Sequence, residues 1–136
     1  MRMLALVFSL STVLFSVGAQ AGVQVGDRLG AVHLNDAKDR DVIVLPACKV
    51  SKNSKARKIS FTVDKFPAEI DKLKVVFQNG EQQELVVKDH FRANSRSRWM
   101  NLNGDARCIS RIVVKGDTDT KLPRPNRRAK ITFYGI

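Results

Sequence analysis

From residue 59 onward, apolar side chains recur at every second position, and that spacing restricts the chain to strands with one buried face. Ile59, Phe61 and Val63 alternate with Ser60 and Thr62, and Leu73, Val75 and Phe77 alternate with Lys74, Val76 and Gln78. Asn79-Gly80 follows, then a second run through Leu85 and Val87. Asn-Gly accepts the positive φ angles of a type I′ turn, so the two runs read as a hairpin. Further strands are expected at 29–34, 42–50, 99–102, 108–115 and 129–134. Cys108, Ser110, Ile112 and Val114 share one face of the fourth of these, and Ile131 and Phe133 share one face of the last. Pro46 demotes the run at 42–50 to an edge or a bulge, because proline lacks the N–H that a central ladder needs.

Turn signals stand at Asn35-Asp36, Asn103-Gly104 and Gly116-Asp117. The stretch 67–72 is the only helix candidate, and 116–128, broken by Pro123 and Pro125, reads as an exposed loop. The expected fold is all-β, a single small antiparallel sandwich or barrel of about eight short strands.

That domain is expected to begin at Gly22, behind a signal peptide. Arg2 is the only early charge, residues 4–17 are an apolar run, and Ala19-Gln20-Ala21 supplies small side chains one and three positions before a cut after Ala21. Fourteen such residues rise about 21 Å as a helix, short of the roughly 30 Å hydrocarbon core, which argues against a membrane anchor. The first residue after the cut is glycine, not the cysteine that a lipoprotein needs. The domain organisation is therefore residues 1–21 as signal peptide and 22–136 as a basic β domain, periplasmic or secreted. Both cysteines, Cys48 and Cys108, lie in the exported part, where two thiols in one small domain usually pair. Such a bond closes a loop of about 60 residues, worth roughly 4 kcal/mol on the loop-entropy account. Two separately buried thiols are the alternative.

The exported part carries a net charge of +10, and two segments hold all of the excess. Lys49, Lys52, Lys55, Arg57 and Lys58 fall within ten residues that contain no acid. Residues 91–136 hold eleven Lys and Arg against Asp105, Asp117 and Asp119. If the cysteines pair, Arg107 and Arg111 flank the far end of the bond, and the staple brings both segments into one neighbourhood. A focused positive patch attracts polyanions at long range. The anion-binding candidates are Lys49, Lys52, Lys55, Arg57, Lys58, Arg107, Arg111, Arg124, Arg127 and Arg128. The alternative is a solvated charged face that keeps a small domain soluble.

Other chemistries have less behind them. Phe91, Arg92, Arg96, Arg98 and Trp99 mix rings with guanidinium groups as single-strand stacking platforms do. Export separates the chain from cytoplasmic nucleic acid, however, and Trp99 falls in a strand where a core position is expected. His33 and His90 sit in no nucleophile or metal motif, and two distant cysteines without nearby histidines make a poor zinc site. Asp89, His90 and Ser95 or Ser97 form at most a chance triad fragment. No cofactor is implied and no catalysis is expected.

Leu29-Gly30-Ala31, Leu45-Pro46-Ala47-Cys48, Trp99-Met100-Asn101-Leu102-Asn103 and Arg107-Cys108-Ile109-Ser110-Arg111-Ile112 with Gly116 resemble, in order and rough spacing, the YaaI-like family of small exported bacterial proteins, a domain of unknown function. The resemblance covers most of the exported chain. It implies a bacterial envelope protein with Cys48 and Cys108 as the family's two cysteines, which supports their pairing. It implies no activity, and no motif of it includes the basic stretch 124–130.

Three functions follow as expectations. The first is a non-enzymatic periplasmic or secreted domain whose basic surface binds an anionic envelope component. The second is an inhibitor of, or binding partner for, an acidic envelope protein, since a basic target would be repelled. The third, ranked behind both because no catalysis is expected, is a hydrolase.

Overall fold

The computed structural model describes residues 26–34, 39–118 and 128–136. The expected signal peptide, the expected Asn35-Asp36 turn, most of the expected 116–128 loop, Arg124 and Arg127 lie outside them. Ten strands run through the described residues: β1 (Asp27–His33), β2 (Asp39–Val44), β3 (Lys55–Ala56), β4 (Lys58–Asp64), β5 (Ala68–Phe77), β6 (Gln82–Phe91), β7 (Ser95–Arg96), β8 (Met100–Asn101), β9 (Arg107–Thr118) and β10 (Lys130–Gly135). A single 3-10 turn, Lys52–Ser54, precedes β3.

The strands form two antiparallel sheets. The first has the order β1-β10-β4-β7, with β8 also pairing β4; the second has the order β2-β9-β5-β6, with β3 also pairing β9. Neither path closes on itself, so the arrangement is sandwich-like and not a barrel. Two of the ten strands, β3 and β7, fall outside the expected runs; each is two residues long, and they account for the excess over eight.

The inward positions of both sheets make one core. Ile59, Phe61, Val63, Ile131 and Phe133 come from the first sheet and Ile70, Leu73, Val75, Ile112 and Val114 from the second, all fully buried. Register aligns them in cross-strand pairs, Phe61 with Phe133 and Val63 with Ile131, and such pairs are the unit of sheet stabilisation. The Phe61 ring lies 5.6 Å from that of Phe133 and meets Phe91 edge-on at 4.9 Å, which ties β6 of the second sheet to β4 of the first. At one end the Thr118 hydroxyl joins the layers: it donates to the Leu34 carbonyl at 3.1 Å and accepts the Ala129 N–H at 3.0 Å.

Several local expectations are corrected, two of them because of bulges. The helix candidate at 67–72 is the start of β5. Against β9, a register shift between Ile70 and Lys72 inserts Asp71, so the buried positions step from Ala68 and Ile70 to Leu73 and Val75. That single three-residue step imitates helical spacing. A second shift, between Ile109 and Arg111 on β9, breaks the expected common face: Ile109, Ile112 and Val114 are buried, and Cys108 and Ser110 are only half-buried.

The hairpin at Asn79-Gly80 is present, with a different turn. Phe77 pairs with Glu81 through the Phe77 N–H at 2.9 Å, the Gly80 N–H closes onto the Phe77 carbonyl at 3.0 Å, and of Asn79 and Gly80 only the glycine has positive φ, +90°. This is a three-residue loop ending in a left-handed glycine, not type I′. At Gly116-Asp117 there is no turn. β9 runs on to Thr118, with Gly116 packed so closely that a Cβ would stand 2.3 Å from the Glu69 carbonyl oxygen. The 42–50 run stops at Val44, before Pro46, and β2 is the edge expected of it. The 99–102 run pairs only at Met100 and Asn101.

Candidate functional site: a basic face on the second sheet

Alternation that buries one side of the second sheet presents the other to solvent, and the outward residues align in transverse rows. Arg40, Lys115, Lys72 and Val86 form one row across β2, β9, β5 and β6. Val42, Val113, Lys74 and Glu84 form the next, and Val44 and Arg111 begin the third. Strands lie about 4.8 Å apart, so Arg40, Lys115 and Lys72 root three cations within roughly 10 Å. Arg111 and Lys74 bring the cations to five; Glu84 pairs Lys72 at 3.2 Å, and Asp117 and Glu69 form the row beyond Lys115 and Lys72. Together the five cations and Glu84 border an open groove of about 670 Å³.

The crowding is visible in protonation. The Lys115 amine is held below the ordinary lysine value of 10.5, first by the Lys72 ammonium and next by the Arg40 guanidinium. Like charges directly opposite on neighbouring strands destabilise a sheet, so this row is a cost to the fold.

The cysteines are joined, with Cα atoms 6.0 Å apart across a sequence separation of 60. Gln78 clamps the same loop: its side-chain NH2 donates to the carbonyls of Pro46 at 3.3 Å and Ile109 at 3.2 Å, and its side-chain oxygen accepts the Cys48 N–H at 3.2 Å.

The bond gathers the sequence-read cations only in part. Lys55 stands opposite Cys108 on β3, and Lys49 follows Cys48, both exposed. Lys52 lies on the 3-10 turn and Lys58 opens β4; both are exposed, as are Arg57 beside it and Arg128 before β10. Arg107 and Arg111 do not share a surface, because the β9 bulge lies between them. Arg107 lies 3.7 Å over the Phe77 ring and forms an ion pair with Glu81, while Arg111 joins the outer face.

Four cations of that face, Arg40, Lys72, Lys74 and Lys115, are absent from the sequence-read set. Linear charge tallies hide three of them: Asp39 and Asp41 offset Arg40, and Glu69 and Asp71 offset Lys72 and Lys74; Lys115 lies within the basic stretch 91–136 but is not among the candidates. The usable signal is parity counted from Leu73 and Val75, with which Lys72 and Lys74 alternate.

Elsewhere the chemistry is turned inward. Trp99 is half-buried and outside the core cluster, contrary to expectation, and Arg96 lies 5.2 Å from its ring and 5.3 Å from that of Tyr134. One face of each ring is thus covered by the chain's own guanidinium. Ser95 donates to the Arg92 carbonyl and Ser97 to that of Arg98, while Asp89 accepts the backbone N–H of His90. Among the described residues no group of three or more His, Cys, Asp and Glu could hold a metal ion, and no helix is long and apolar enough to cross a membrane.

Fold and site together define a small, mostly-β domain of two antiparallel sheets, stapled by one disulfide, with no obvious catalytic or metal-binding machinery among the described residues. The chain belongs to the family described as domain of unknown function DUF2541, whose model matches residues 3–135. No curated protein and no solved structure matches it.

Proposed function

We propose that this is a non-enzymatic binding module of the bacterial envelope, exported by residues 1–21 and of the YaaI-like kind within its family, that holds an anionic component on the outer face of the second sheet. One observation carries the reading: Arg40, Lys115 and Lys72 stand in a single transverse row, with Lys74 and Arg111 beside them. A fold gains nothing from repelling charges placed opposite one another. An anion seated on the row relieves the repulsion and gains from each cation at once.

The test is binding of the exported chain, residues 22–136, to isolated envelope material across a salt series. Exposed charges are screened beyond about 8 Å at physiological ionic strength, so binding should fall steeply with salt and more steeply than that of a Lys72→Gln/Lys115→Gln variant. Salt-independent binding, or a variant indistinguishable from the parent, contradicts the reading. Fractionation of the cells, with N-terminal sequencing, tests the export: the chain should begin at Gly22 and lie outside the cytoplasm.

A further inference from the structure

We infer that the anion held on this face is the phosphate-bearing surface of an anionic lipid layer, with valine side chains entering its headgroup region. The inference rests on the reading above and narrows it to one partner. Its basis is where the apolar exposure falls. Val42 is 47% exposed, Val44 75% and Val86 56%, three of the four large hydrophobic residues exposed among the described residues. Single exposed valines are ordinary on a protein surface. These three lie on one sheet face, and each shares its row with a cation: Val86 with Lys72, Val42 with Lys74, Val44 with Arg111.

The two kinds of side chain suit one kind of surface. The long stems of Lys and Arg are themselves apolar, so ammonium and guanidinium groups can spread to phosphates while stems and valines fill the space beneath. A soluble polyanion makes use of the cations and leaves the valines in water. A lipid surface makes use of both, since interfacial binding grows with buried apolar area and with attraction to anionic headgroups. The face also presents an open groove across four strands instead of an enclosed pocket, a shape that suits an extended surface.

The test compares two probes on residues 22–136. One is vesicles of phosphatidylglycerol mixed into phosphatidylcholine, with pure phosphatidylcholine as the uncharged control; the other is long-chain inorganic polyphosphate. The parent should sediment with the mixed vesicles and not with the control. Val42→Thr/Val44→Thr keeps β-branched side chains on β2, and should lower vesicle partition roughly tenfold while leaving polyphosphate binding unchanged. Val86→Thr, on a different strand, should act in the same direction, so a folding defect of the β2 variant does not decide the matter. Lys72→Gln/Lys115→Gln should weaken both probes, by about fivefold per cation on vesicles. Valine variants that partition like the parent overturn the lipid inference and leave the anion-binding reading standing, as does a parent that binds polyphosphate and not vesicles. A parent that binds neither probe nor envelope material overturns both.

Discussion

Lys72 on β5 and Lys115 on β9 are direct cross-strand partners, and Arg40 on β2 flanks Lys115 from the other side. The depressed Lys115 amine reports the resulting repulsion. A base whose folded-state value lies below its unfolded value of 10.5 carries its full penalty at neutral pH, where it is charged in both states. As pH rises through the folded value toward 10.5 the folded state releases its proton first, and the penalty is relieved. Lys115→Gln is therefore expected to raise the denaturation midpoint near neutral pH, by a margin that shrinks with alkaline pH and with added salt. A midpoint lowered by the substitution contradicts this account.

Much of the fold was legible because period-two alternation needs no knowledge of partners: Ile59, Phe61 and Val63 pointed inward on sequence alone. Failures came where one inserted residue changed parity. Asp71 made 67–72 look helical, and the bulge before Arg111 separated it from Arg107. The site was less legible for a different reason. A row such as Arg40, Lys115 and Lys72 exists only once β2, β9 and β5 are known to be neighbours, and sequence does not give strand order.

The Cys48–Cys108 bond closes a loop long enough to weigh heavily on the unfolded chain. Cys48→Ala/Cys108→Ala should lose about 4 kcal/mol of stability in denaturant titration, the loop-entropy figure. Gln78→Ala, which releases the loop but keeps the bond, should cost less. Mass spectrometry of residues 22–136 should show a shift of about 2 Da on reduction, the two hydrogens gained when one disulfide opens; two free thiols contradict the staple.

Thr118 bridges two backbone groups at the junction of the layers, and its hydroxyl bonds are buried. Thr118→Val keeps the shape and strands both the Leu34 carbonyl and the Ala129 N–H. A loss of about 1–3 kcal/mol is expected, the cost of unsatisfied buried polar groups, while Thr118→Ser should retain more of the stability. Equal midpoints for the two variants would show that the hydroxyl bonds carry little.

Gly116 and Gly80 should fail differently on replacement by alanine. At Gly116 the new Cβ meets the Glu69 carbonyl oxygen at 2.3 Å, and backbone cannot yield as a flexible side chain does. Gly116→Ala should lose roughly 1–3 kcal/mol or more, as overpacking does. At Gly80 a Cβ meets nothing within 4 Å, and the cost is only that of the left-handed backbone at φ +90°, about 1–2 kcal/mol. Gly80→Asn should recover part of it, since asparagine tolerates that region better, whereas Gly116→Asn should be worse than Gly116→Ala.

Arg107 and Arg111, four residues apart on one strand, should separate stability from binding. Arg107 is the inward partner: its guanidinium covers the Phe77 ring and pairs with Glu81, with the side chain 19% exposed. Arg107→Gln removes the ring contact and leaves Glu81 without its cation, so a loss of about 1–2 kcal/mol is expected, with affinity for polyphosphate unchanged. Arg111 is exposed on the outer face between Val44 and Val76, and makes no ion pair or ring contact among the described residues. Arg111→Gln should leave the denaturation midpoint within about 0.5 kcal/mol of the parent. It should also weaken polyphosphate binding and lower its salt dependence, because one cation fewer releases one counterion fewer. Both readings can be taken on one pair of proteins by denaturant titration and a salt series, and an exchange of the two phenotypes would refute the assignment of the outer face as the binding surface.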